Sequence, residues 1–82
     1  MEIAVIEKAL TEEITAKYEL KASSEKYTIL IQERNSHGQI ICSARAELEA
    51  SLGKGAKQIF DSLHENGVFA IHLNDIISDL LC

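Results

Sequence analysis

Few residues of this chain could do chemistry, and none stands in a catalytic pattern. Ser51-Leu52-Gly53-Lys54-Gly55-Ala56-Lys57 places two glycines and two lysines near the start of a helical stretch. Glycines there can turn backbone N–H groups toward an anion, so Lys54 and Lys57 are anion-binding candidates. The segment lacks the Gly-x-x-x-x-Gly-Lys-Ser/Thr spacing of a nucleotide loop, and no strand is expected directly ahead of it. His37, His64 and His72 have no ligand spacing with one another, nor with Cys42 or Cys82, so no metal site is expected. There is no Gly-x-Ser-x-Gly, no paired Cys/His signature and no positioned carboxylate pair. The expectation is a protein that is not an enzyme and uses no cofactor. Asp61 and Glu65, four apart on one helix, offer an acidic surface suited to a basic partner, with a solvated helix face as the competing explanation.

Composition bounds what elements can position these residues. Eighty-two residues with 46% hydrophobic and 26% charged side chains suit a single domain over 1–82. Thirteen Asp/Glu against eight Lys/Arg give a net charge of −5, the opposite balance to most nucleic-acid binders. Two cysteines make at most one bridge, the N-terminus has no basic leader, and no apolar run is long enough for a bilayer. These features suggest a cytoplasmic location and no membrane partner.

The pattern predicts the order α-β-β-β-α-β-α, an α+β domain with an antiparallel sheet of three to four strands packed against helices. Ile3, Ile6 and Leu10 are spaced as a short amphipathic helix over 2–10. Residues 14–22 alternate strictly, with Ile14, Ala16, Tyr18, Leu20 and Ala22 on one side, as in a half-buried strand. A helix over 11–22 competes, because Ile14 and Tyr18 extend the Ile3-Ile6-Leu10 stripe, but Leu20 falls off it. Tyr27–Arg34 is a strand, Asn35-Ser36-His37-Gly38 a hairpin loop, and Gln39–Arg45 the returning strand. Leu48, Leu52, Ala56, Ile59 or Phe60, and Leu63 then predict a helix within 46–66, which Gly53 and Gly55 weaken enough for it to break or start late there, ended by Gly67 in the left-handed C′ position. Val68–Leu73 reads as a strand, and Asn74 or Asp75 as the cap of a last short helix carrying Ile76, Ile77, Leu80 and Leu81.

Alternation also sorts the sheet into two faces. Ile14, Ala16, Tyr18, Leu20, Tyr27, Ile29, Ile31, Ile40, Cys42 and Ala44 are expected to face the core. The opposite face would carry the cations Lys17, Lys21, Arg34 and Arg45 against Glu19 alone, around a central apolar pair, Leu30 and Ile41. An apolar centre inside a charged rim is the anatomy of a docking surface. The competing readings are a solvated face, or a terminal helix laid over Leu30 and Ile41.

Residues 27–73 are similar to a small phage anti-CRISPR protein of the β-β-β-α kind. The likeness rests on Tyr27, Ile31, Glu33-Arg34, Gly38, Ala44-Arg45-Ala46, Ala56-Lys57 and the apolar run from Val68. It implies a short, acidic, catalytically empty inhibitor that occludes a surface of a CRISPR effector or another nucleic-acid-handling complex. Residues 2–65 also resemble a double-stranded-RNA-binding domain in their α-β-β-β-α order, through Tyr18-Glu19-Leu20, Tyr27-Thr28-Ile29 and Gly53-Lys54-Gly55-Ala56-Lys57. That likeness implies RNA contact from the start of the second helix. The leading expectation is a protein-binding inhibitor. The alternatives are a nucleic-acid-binding module using the basic sheet face, and a homodimer that hides Leu30, Ile41 or the last helix.

Overall fold

A computed structural model describes residues 2–49 and 54–81. Four strands, β1 (Glu2–Ala9), β2 (Thr15–Ala22), β3 (Lys26–Arg34) and β4 (Ile40–Glu49), form one antiparallel sheet in the order β1-β2-β3-β4. Helix α1 (Lys54–Glu65), a 3-10 turn (Ala70–His72) and helix α2 (Leu73–Leu81) follow.

Each hairpin is closed by residues suited to it. Thr11 Oγ1 accepts from the N–H groups of Glu13 and Ile14, folding the first connection. Ser23 exchanges bonds with Lys26 at the second. At the third, Asn35 Oδ1 accepts from the His37 and Gln39 N–H groups, and Gly38 takes φ of 79°.

One face of the sheet is covered. Ala16, Tyr18, Leu20, Ile29, Ile31, Ala46 and Leu48 pack against Ala56, Phe60 and Leu63 of α1, Ala70, and Leu73 and Ile77 of α2. Gly67, at φ of 62°, ends α1 as expected. The Val68 N–H donates to Leu63 O and the Gly67 N–H to His64 O, which is the paired pattern of a glycine C-cap. Lys8 Nζ reaches across from β1 to donate to His64 O and Glu65 O, so a cation meets the negative end of the helix.

Four expectations are corrected. Residues 2–10 are not a helix. Ala4, Ile6 and Lys8 lie half-buried while Ile3, Val5 and Glu7 are exposed, so the period is two, and the first element is an edge strand. Strand β4 runs past Arg45 to Glu49, because Ala44, Ala46 and Leu48 continue the inward row; α1 therefore begins only at Lys54. The 68–73 strand is absent. The Val68 carbonyl accepts from the Tyr18 hydroxyl at 2.8 Å, and the Ala70 N–H donates to the Glu33 carboxylate, so side chains replace a strand ladder there. Helix α2 starts at Leu73, which puts Asn74 and Asp75 inside its first turn and not ahead of it.

Ile40 also departs from its expected place in the core. The ladder slips between Glu33 and Arg34, pairing Glu33 with Cys42 but Arg34 with Ile40. That bulge leaves Ile41 as the extra residue, with Ile40 54% and Ile41 50% exposed.

Candidate functional site

Both helices lie on one side, so among the described residues no helix covers the other face of the sheet. Its rows are fixed by register: Val5, Glu19, Leu30 and Arg45 follow one another across the four strands. Glu7, Lys17, Gln32 and Ser43 form the next row, and Lys21, Thr28 and Glu47 another. Lys17, Lys21, Leu30 and Arg45 thus share one surface, and no helix lies over Leu30.

Several of the charges on this face are paired. Glu19, only 6% exposed although no helix covers it, sits 3.0 Å from Lys17 Nζ and 3.5 Å from Lys21 Nζ. The Lys17 hydrogen bond holds its carboxyl below the usual range, outweighing the opposing effect of burial. Glu47 accepts from Lys26 Nζ and from Arg45 Nη2, each at 2.9 Å, and the Lys26 hydrogen bond lowers its pKa most. A rim of four cations and one acid was expected. Strand β1 adds Glu7, and the extended β4 adds Glu47 and Glu49, so the face is mixed in sign. The signal was present in the sequence, where Arg45, Glu47 and Glu49 alternate with Ala44, Ala46 and Leu48.

Lys21, Thr28, Leu30 and Arg45 line a recess of about 230 Å³ near the middle of the face. Arg34 lies at the end of β3, half-buried, with a buried Nε that finds no hydrogen-bond partner. Ile41 stands away from the recess, at the β4 bulge.

The other sequence candidates are elsewhere. Lys57 Nζ lies 2.7 Å from Asp61 Oδ1 and 6.0 Å from the Phe60 ring centroid. His64 Nε2 is 3.1 Å from the same carboxylate oxygen. Lys57, then His64, hold the Asp61 carboxyl below its ordinary range. The structure therefore gives Lys57 to an acid on its own helix, and explains why Asp61 is tolerated four residues before Glu65. Gly53, Cys82 and the Lys54 side chain lie outside the described residues. Among the described residues, no three of His, Cys, Asp and Glu stand together as metal ligands, and no helix is long and apolar enough to cross a membrane.

Comparison with known proteins finds no matching family model, no similar curated protein and no similar solved structure.

Proposed function

We propose that the chain is a non-catalytic binding module that presents the open face of its sheet to a protein partner. The observation that carries this reading is Leu30. It sits in an uncovered recess at the centre of the face, ringed by Lys21, Thr28 and Arg45, with Ile3, Val5 and Ile41 exposed beyond. An apolar floor with a charged, solvated margin is what a protein interface needs. Paired cations favour a protein over a nucleic acid, because phosphate neutralisation draws on unshared charge. In its most concrete form the partner is a nucleic-acid-handling complex, with the chain acting as a phage-type inhibitor that occludes one of its surfaces. That form rests on the likeness of residues 27–73.

The test is binding to purified CRISPR effector complexes by the full chain and by Leu30→Asp. The expected result is binding by the native chain, and loss of it in the variant at an unchanged melting temperature. Equal binding by both overturns the open-face reading, and no binding by either overturns the inhibitor form. Light scattering that shows a dimer split by Leu30→Asp would transfer the face to self-association. Salt-sensitive binding of RNA would transfer it to nucleic acid.

A further inference from the structure

We propose that Arg34, at the corner of the open face beside the β4 bulge, receives a carboxylate of the protein partner, with an apolar side chain next to that acid resting on Ile40 and Ile41. The inference rests on the open-face reading and adds to it where the partner is anchored and by what chemistry.

Register places Arg34 on this face. Along β3, Leu30, Gln32 and Arg34 alternate with the buried Ile29, Ile31 and Glu33. Its cross-strand neighbours are Thr15 on β2 and Ile40 on β4. Side chains in such positions start about 5 Å apart at Cβ, close enough for one ligand group to touch both. The bulge sets Ile41 beside Ile40 and leaves the two 50% and 54% exposed.

Arg34 differs from the other cations of the face in having nothing to hold. Lys17 and Lys21 lie on Glu19, and Lys26 and Arg45 on Glu47. Among the described residues Arg34 makes no hydrogen bond and no ion pair, and its Nε is buried without an acceptor. No acid stands next to it on the sheet. Thr15 and Ile40 flank it, and the next row holds Lys17, Gln32 and Ser43. Glu12 and Glu13, exposed in the connection ahead of β2, are not paired with it.

A guanidinium stays charged at any physiological pH, and its planar fork of donors matches a carboxylate. Turning this one toward a ligand breaks no bond in the free chain. Side-on contact then supplies Nε with the acceptor it lacks. Arginine beside exposed aliphatic side chains is also the composition that anchors protein interfaces. One unshared cation matches one carboxylate, whereas a phosphodiester strand draws on several and would run over Glu19 and Glu47.

Nuclear magnetic resonance on the full ¹⁵N-labelled chain tests the proposal, because the Arg34 Nε–H gives a signal of its own. The probes are acetyl-Leu-Asp-Leu-amide, its Asn counterpart and an oligouridylate, taken to tens of millimolar peptide. The Asp peptide is expected to move the Arg34 Nε–H and the amide signals of Thr15, Ile40 and Ile41. The Asn peptide should bind about tenfold more weakly, the factor for one charge-assisted hydrogen bond. Arg34→Gln should bring the Asp peptide down to the Asn level with the remaining signals in place, and Lys21→Gln/Arg45→Gln should leave the preference as it was. Equal shifts from both peptides, or a preference that survives Arg34→Gln, overturn the anchor and leave the open-face reading intact. No shift at this corner overturns the anchor as well, while the Leu30→Asp binding assay still judges the face. Tighter, salt-steep binding of the oligouridylate overturns it in favour of a nucleic acid.

Discussion

The sheet carries a nearly buried carboxylate on each face, Glu33 on the covered side and Glu19 on the open side, both 6% exposed. The two are satisfied in different ways. Glu33 accepts from the backbone N–H of Ala70, a donor fixed by the turn that contains it. Glu19 is held by Lys17 and Lys21, whose side chains are flexible and partly in water. On the covered face a polar group fixes the position of a segment. On the open face the polar groups can exchange one partner for another. Fixed pairing suits architecture, and exchangeable pairing suits recognition.

Substitutions on the two faces should separate accordingly. The largest effect is expected from Phe60→Ala, which removes a fully buried ring and should cost about 3–5 kcal/mol in urea unfolding. A loss as small as that of an open-face variant would show that the helices do not seal the core. Glu33→Ala removes the acceptor for Ala70 and should cost about 1–3 kcal/mol. Gly67→Ala follows at about 1–2 kcal/mol, because φ of 62° disfavours a side chain and the new Cβ would meet Leu10 Cδ2 at 3.3 Å.

On the open face the expected signature is a pH slope. Glu19 has a folded pKa below its ordinary 4.5, so its contribution is complete above that value and is lost as pH falls through the folded pKa. Glu19→Gln should flatten part of the acid-side loss of stability, measured by urea unfolding from about pH 7 to pH 3. Glu47 and Asp61, shifted the same way, keep the remainder. An unchanged slope would mean that the lysine pairs contribute nothing in solution. The smallest effect belongs to Leu30→Ala, expected to cost under about 1 kcal/mol because no helix packs over it.

How far the sequence discloses this arrangement depends on how cleanly each strand alternates. Residues 15–34 read correctly because Ala16, Tyr18, Leu20, Ile29 and Ile31 all point inward in step. Strand β1 did not, because its inward row ends in Lys8, which caps α1 from a distance, while Ile3 and Val5 point outward. That inward lysine and those outward aliphatics imitate a helical stripe. Strand β4 was cut short because Leu48 and Leu52 are also four apart, so one spacing served two elements. The run from Val68 to Leu73 has no period at all, and only the three-dimensional placement of Tyr18 and Glu33 decides its conformation. Of the open face, Lys17, Lys21, Leu30 and Arg45 were legible from alternation. Glu47, the acid that pairs with both Arg45 and Lys26, is hidden by the misplaced helix boundary.

Fastening the Val68–Ala70 segment with a phenol and a carboxylate also divides the molecule into two units of unequal persistence. The strands are zipped along their length by main-chain bonds, whereas the stretch leading into the last helix is held by two side-chain hydrogen bonds and by the packing of Ala70, Leu73 and Ile77 on the sheet. Undocking of that helix would leave the ladders of the meander whole, so amide protons beyond Ala70 are expected to trade with solvent sooner than those of the two central strands. The open face belongs to the strands alone, so its shape is expected to outlast such undocking.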